Sequence, residues 1–82
     1  MTQDVFKKED YHGMTALMIA SEKGRTETVQ ALLNSRLMTP DMHEKKDNDG
    51  RTAVMLASQN GYTGTVQALS NSRLMTPGVF EM

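Results

Sequence analysis

The chain has 82 residues, with 9 Lys and Arg against 10 Asp and Glu, so its formal net charge of -1 excludes long-range electrostatic attraction to nucleic acid or anionic lipid. It has no cysteine, which excludes disulfides and thiolate metal sites. Its longest apolar run, residues 16–20, is far shorter than the ~20 residues of a membrane span. We therefore expect one small intracellular, cytoplasmic domain with no nucleic-acid or membrane partner.

An internal repeat organises the chain. A shift of 37 residues aligns residues 4–40 with residues 41–77 at 23 identical positions, and the heptapeptide NSRLMTP ends both copies unchanged. A period of this length is typical of stacked supersecondary units. We interpret the identical heptapeptides as the result of a recent duplication, and a pair of binding peptides is the alternative. We expect a lead-in, a first repeat with an extended loop, a second repeat and the start of a broken third unit, at residues 1–9, 10–40, 41–77 and 78–82.

The first unit is predicted to be a turn followed by two short helices. Gly13 favours a tight turn because it tolerates positive φ. Thr15 is predicted to cap a helix that ends near Lys23. Gly24 then turns the chain, and Thr26 is predicted to cap a second helix. This second helix has apolar residues three or four apart on one face, which are Val29, Leu32 and Leu33.

The second unit repeats this order. The stretch KDNDG at residues 46–50 predicts a turn, and Thr52 is predicted to cap a helix over about residues 53–60. Gly61 ends that helix, and Thr63 is predicted to cap a further helix of roughly ten residues. Helices shorter than about 12–15 residues are marginal in water, so the two helix pairs must stack on each other.

Both units resemble the ankyrin repeat, whose pattern D-x-x-G-x-T-P-L-H-x-A-A-x-x-G-H precedes a second helix rich in Val and Leu. The matching stretches are DYHGMTALMIASEKGR at residues 10–25 and DNDGRTAVMLASQNGY at residues 47–62. The resemblance implies an all-α fold, a short solenoid of two turn-helix-corner-helix units stacked side by side. Alanine replaces the family's proline and methionine its histidine in both units, so we expect looser turns. Four extra residues per repeat predict an extended loop between the units.

In the ankyrin family, the turn tips and the exposed face of the first helices bind other proteins. The resemblance therefore implies partner-binding residues at equivalent positions of the two units: Glu9, Tyr11, His12, Met14, Glu22, Lys23, Lys46, Asn48, Asp49, Arg51, Gln59 and Asn60. We expect Tyr11 and Arg51 to be the anchors, because aromatic and arginine side chains dominate interface energetics. Replacing both by alanine should weaken binding and leave the melting curve nearly unchanged. Met14 is expected to be exposed.

No catalytic or metal site is expected. His12 and His43 are 31 residues apart, and the acids beside His43, Asp41 and Glu44, are neighbours in a loop that cannot all converge on one ion. No glycine-rich loop leads into a Lys-Ser or Lys-Thr pair. We therefore expect no enzymatic activity and no cofactor. The 8 methionines are expected to fill gaps in a small core, and an adaptable binding surface is the alternative.

The expected function is a non-catalytic protein–protein interaction module. The alternative is a fragment or minimal member of a longer ankyrin array that acts by stacking or self-association through open repeat ends, because at least three repeats are generally needed for stability. Ser70 stands where the first unit has Leu33, which favours a polar, capped end. Val5 and Phe6 are candidates to cover the other end.

Overall fold

The computed structural model describes residues 7–36 and 38–72, which form helices and turns and contain no strand. Val5, Phe6, the tail at residues 78–82 and most of the second NSRLMTP lie outside the described residues. The helices are α1 Ala16–Glu22, α2 Thr26–Leu33, α3 Asp41–Glu44, α4 Ala53–Gln59 and α5 Thr63–Ser70. The all-α prediction is confirmed for the described part of the chain.

The first helix of each unit begins as the sequence predicts. Thr15 and Thr52 are extended cap residues, and their hydroxyl oxygens accept hydrogen bonds of 3.4 Å from the N–H groups of Met18 and Met55. Each threonine thereby satisfies one of the backbone donors that a helix start leaves without an intrahelical partner. Helices α1 and α4 have seven residues each, so both depend on packing for their stability.

The predicted caps of the second helices are wrong. Thr26 and Thr63 are the first helical residues, and the cap positions belong to Arg25 and Tyr62, which make no side-chain capping bond. The backbone gives the reason. The carbonyl of Arg25 accepts the first helical hydrogen bond of α2, from the N–H of Val29 at 2.9 Å. The carbonyl of Tyr62 accepts the corresponding bond of α5, from the N–H of Val66 at 3.0 Å. Helices α2 and α5 are eight residues long, rather than roughly ten.

The connection between the units contains a helix where the sequence predicts only an extended loop. The first NSRLMTP leads into the four-residue helix α3, and Pro40 occupies its cap position with φ -57°. The proline ring fixes φ near the helical value, which favours a helix start at this point. Met42 and His43 on α3 are 4 % and 1 % exposed, so this short helix covers part of the core.

The two units stack in two layers. Helix α1 packs on α4 and α2 packs on α5, while the helices of each unit also pack on each other. Leu17, Met18, Leu56 and Leu69 are fully buried at the centre. Methionines fill part of this core, as predicted, at Met18, Met38 and Met42. Ser70 is exposed, as expected for the outer face of the second unit.

Candidate partner-binding surface

The first turn is built around the carboxylate of Asp10. Its Oδ1 accepts hydrogen bonds from the backbone N–H groups of His12 at 2.9 Å and Met14 at 3.0 Å. The bond from Met14 is the main cause that holds the pKa of Asp10 below its usual value. The intervening residues Tyr11 and His12 are therefore presented at the tip of a fixed turn, and both are exposed.

The second turn uses Asp47 in the same way and adds an ion pair. Oδ1 of Asp47 accepts from the N–H groups of Asp49 and Arg51, both at 2.9 Å. Oδ2 accepts from Nε and Nη2 of Arg51, both at 3.0 Å. Burial alone raises the pKa of Asp47, but the hydrogen bonds from the backbone and guanidinium of Arg51 outweigh it and leave the pKa below its usual value. Arg51 is thus part of the turn's structure.

The two turns are joined by one residue of the second unit. The N–H of Asn48 donates to the carbonyl of His12 at 2.9 Å, and Nδ2 of Asn48 donates to the carbonyl of Tyr11 at 3.0 Å. Gly13 permits this approach, because a Cβ atom at its position would lie 2.5 Å from Oδ1 of Asn48. Its φ of +76° also favours glycine. The turns therefore form one continuous edge.

A second asparagine joins the ends of the first helices. Nδ2 of Asn60 donates to the carbonyl of Glu22 at 3.0 Å. The side-chain bonds of Asn48 and Asn60 both run from the second unit to the backbone of the first, so these two amides are already engaged within the fold. Their exposed surface remains accessible, but their amide hydrogens are not all free for a partner.

A groove of about 450 Å³ lies between the turns and α1. Both acidic and basic side chains line it, and Met14 and Ile19 add apolar surface. The lining residues are Asp10, His12, Met14, Ile19, Glu22, Lys23, Asp49 and Arg51. The groove therefore offers both signs of charge to a partner and favours neither sign strongly.

Five of the predicted partner-binding residues line this groove and are exposed or half-buried. They are His12, Glu22, Lys23, Asp49 and Arg51. The structure places the others outside the lining: Glu9, Tyr11, Lys46, Asn48, Gln59 and Asn60 are exposed around it. Glu9 forms an ion pair with Lys45. Sequence reasoning missed Asp10, Asp47 and Ile19. The two aspartates could have been found, because they stand at the same place in both units before a turn.

The expectation that Met14 is exposed is wrong. Met14 is 6 % exposed and belongs to the hydrophobic core. Its backbone is paired with Asp10 in both directions, which holds the residue on the inner side of the turn. An apolar side chain at the base of a turn is favoured in the core by the hydrophobic effect. Met14 therefore lies in the core beneath the groove and contributes to its lining.

Within residues 7–36 and 38–72, no three His, Asp or Glu side chains are grouped as ligands for a metal ion. Among the same residues, no helix is both long and apolar enough to cross a membrane.

Comparison with known proteins identifies the family to which the chain belongs. The family model described as "Ankyrin repeats (3 copies)" matches residues 2–76. No curated protein and no solved structure matches the chain. The stacked helix pairs, the aspartate-centred turns and the threonine caps agree with the family match, which covers most of the sequence. The chain belongs to the ankyrin-repeat family.

Proposed function

We propose that the chain is a non-catalytic module that binds another protein through its turn tips and the exposed face of its first helices. Ankyrin repeats generally mediate protein–protein interaction, which supports this function. The observation that carries the proposal is Tyr11, which is 99 % exposed while its backbone carbonyl accepts a hydrogen bond from Asn48. An aromatic ring on a fixed backbone loses little conformational entropy on binding.

The charges of the groove define the partner further. Glu22 and Lys23 are adjacent at the end of α1, and Asp49 of the second turn lines the same groove. We expect the partner to carry charges of both signs around an apolar pocket that takes the Tyr11 ring. We expect two repeats to offer a surface near or below the ~800 Å² per partner of a standard interface, and therefore to bind weakly.

Site-specific crosslinking tests the proposal. A photoreactive phenylalanine analogue at Tyr11 should give discrete adducts with a protein from the source cells. The same analogue at Thr28, which is exposed on α2, should give none of these adducts. Identical adducts from both positions, or none from Tyr11 over a range of protein concentrations, would contradict the proposal.

The alternative is stacking on further repeats or on itself through open repeat ends. Ser70 is exposed where its equivalent, Leu33, is 6 % exposed in the core, and this polar replacement favours a capped end at α5. Light scattering and thermal melts at two concentrations separate the two functions. A concentration-independent melt of a monomer supports the binding module, whereas a melt that rises with concentration supports stacking.

A further inference from the structure

A second groove lies between α2 and α5, on the layer formed by the second helices. Its volume is about 600 Å³, and it shares no residue with the groove beside the turns. Its lining consists of Gln30, Leu33, Asn34, Gly64, Gln67, Ala68, Asn71 and Ser72. None of these side chains is charged, although 23 % of the chain is. A ligand for this groove must therefore be recognised by hydrogen bonds and shape.

Four side-chain amides line this groove in matched pairs. Gln30 and Asn34 on the first unit correspond to Gln67 and Asn71 on the second, and all four are exposed. None of the four amides makes a hydrogen bond to another described residue, in contrast to the two asparagines that join the units. Each amide offers two donors and an acceptor. The groove thus holds a set of unused hydrogen-bonding groups.

Gly64 lines this groove and adds no side chain to it. A Cβ atom added there would lie 3.6 Å from Oγ1 of Thr26, an ordinary van der Waals contact. The fold therefore does not require glycine at this position, and the first unit has Glu27 there. Glycine is one of the weakest helix formers. A residue without a side chain at this point favours the close approach of another polypeptide.

We propose that this groove binds an extended, uncharged segment of another protein, through hydrogen bonds from the four amides to the peptide groups of that segment. The spacing carries the assignment. Asn34 and Asn71 directly follow α2 and α5, and their backbone N–H groups still donate to the carbonyls of Gln30 and Gln67 at 3.0 and 2.9 Å, so the helical spacing is kept. Residues four apart at this spacing are separated by ~6 Å along the helix axis, and peptide groups on one side of an extended chain repeat every ~6.6–6.8 Å. Gln30 and Asn34 therefore meet successive peptide groups, and Gln67 and Asn71 do so from the other wall. A charged segment is disfavoured because it would lose hydration and gain no ion pair.

The probe for a first test is a peptide of alternating threonine and valine, acetylated and amidated at its ends so that it carries no charge. We expect it to shift the side-chain amide signals of Gln30, Asn34, Gln67 and Asn71 in nitrogen-15 NMR spectra of the whole chain. A peptide of the same sequence, N-methylated at alternate residues, lacks the backbone donors on one side. Loss of two such bonds should weaken binding by roughly tenfold.

Two variants complete the test. Gly64→Ala should weaken peptide binding and leave the melting temperature equal or higher, which separates closure of the groove from unfolding. Tyr11→Ala should leave peptide binding unchanged, because Tyr11 belongs to the other surface. Three results would overturn the proposal: no shift of the four amides at millimolar peptide, equal binding of the N-methylated peptide, or shifts centred on the turn tips. Amide shifts produced by concentrating the protein alone would also overturn it, because the occupant would then be a second copy.

Discussion

Arg51 lies across the carboxylate of Asp47, with its Nε and Nη2 atoms each 3.0 Å from Oδ2. Asp47 is 6 % exposed, so the guanidinium neutralises a buried charge. A second contact, from Nη2 to Asp49 at 3.3 Å, fixes the same side chain to the turn tip. This arrangement separates the two residues that the sequence marks as anchors. Tyr11 is free for a partner, whereas Arg51 is held within the fold.

Arg51→Ala should therefore destabilise the protein. It leaves the carboxylate of Asp47 buried without its charged partner, and loss of charge-assisted hydrogen bonds of this kind lowers the free energy of unfolding by about 1–3 kcal/mol. Tyr11→Ala should change it by less than about 0.5 kcal/mol, because the ring makes no packing contact. Urea unfolding of the two variants measures the difference. Equal stabilities would show that the Arg51 ion pair contributes nothing.

The same carboxylate predicts an acid-sensitive turn. Because the pKa of Asp47 is lower in the folded protein than its usual 3.8, its stabilising effect is present above that pH and is lost as the pH falls through the folded-state pKa. Asp47→Asn should flatten the decline of the melting temperature below about pH 4. Asp10→Asn is the matched control, since Asp10 accepts the same backbone bonds without an arginine. An identical effect of both variants would exclude a contribution from the Arg51 guanidinium.

His43 predicts a second pH dependence, at milder acidity. It is 1 % exposed, and Nε2 lies 3.4 Å from Oγ of Ser72. Burial lowers the pKa of His43 below its usual 6.5, so the unfolded state takes up a proton first. Stability should be complete above pH 6.5 and decline as the pH falls toward the lower folded-state pKa. Thermal melts between about pH 7.5 and 5.5 should show this decline, and His43→Gln should remove it.

The control for this effect is His12→Gln. His12 is exposed on the first turn, so its replacement should leave the decline in place. A decline that survives in His43→Gln, or disappears in His12→Gln, would assign the pH dependence to another group.

Gly24 and Gly61 form a matched pair for the corner between the helices. Both have positive φ, +68° and +74°, so alanine is strained at either position by about 1–2 kcal/mol. A Cβ at Gly24 would also lie 2.7 Å from the ring of Tyr62, whereas a Cβ at Gly61 meets nothing within 4 Å. Gly24→Ala should therefore be the more destabilising by at least about 1 kcal/mol. Chemical denaturation measures both, and Tyr62→Ala should remove the difference.

The features that the sequence predicts correctly depend on neighbours along the chain. The caps at Thr15 and Thr52 are set by bonds across three residues, and the two units repeat because their sequences repeat. Helix α3 could not be predicted in this way. It is only four residues long and too short for a helical period, and its burial depends on how the two units pack.

In the candidate surface, too, some features follow from the local sequence and others depend on packing. The exposure of Tyr11 follows from its place at a turn tip. The burial of Met14 and the ion pair of Arg51 depend instead on the side to which each turn residue points, and the sequence does not specify this. Met14 and Arg51 occupy equivalent positions, yet one enters the core and the other binds a carboxylate. Position within a repeat therefore predicts the backbone better than it predicts the role of a side chain.

The two asparagines that join the units make the junction asymmetric, because both side-chain amides come from the second unit. Asn48 and Asn60 bond backward to carbonyls of the first unit, and the equivalent residues of that unit are Tyr11 and Lys23, which cannot reproduce an amide bond of this geometry. A duplication that copies the second unit supplies both connectors with the new copy. One that copies the first unit supplies neither. An array extended with copies of the second unit would therefore keep the asparagine bonds at each new junction, whereas one extended with copies of the first unit would lack them.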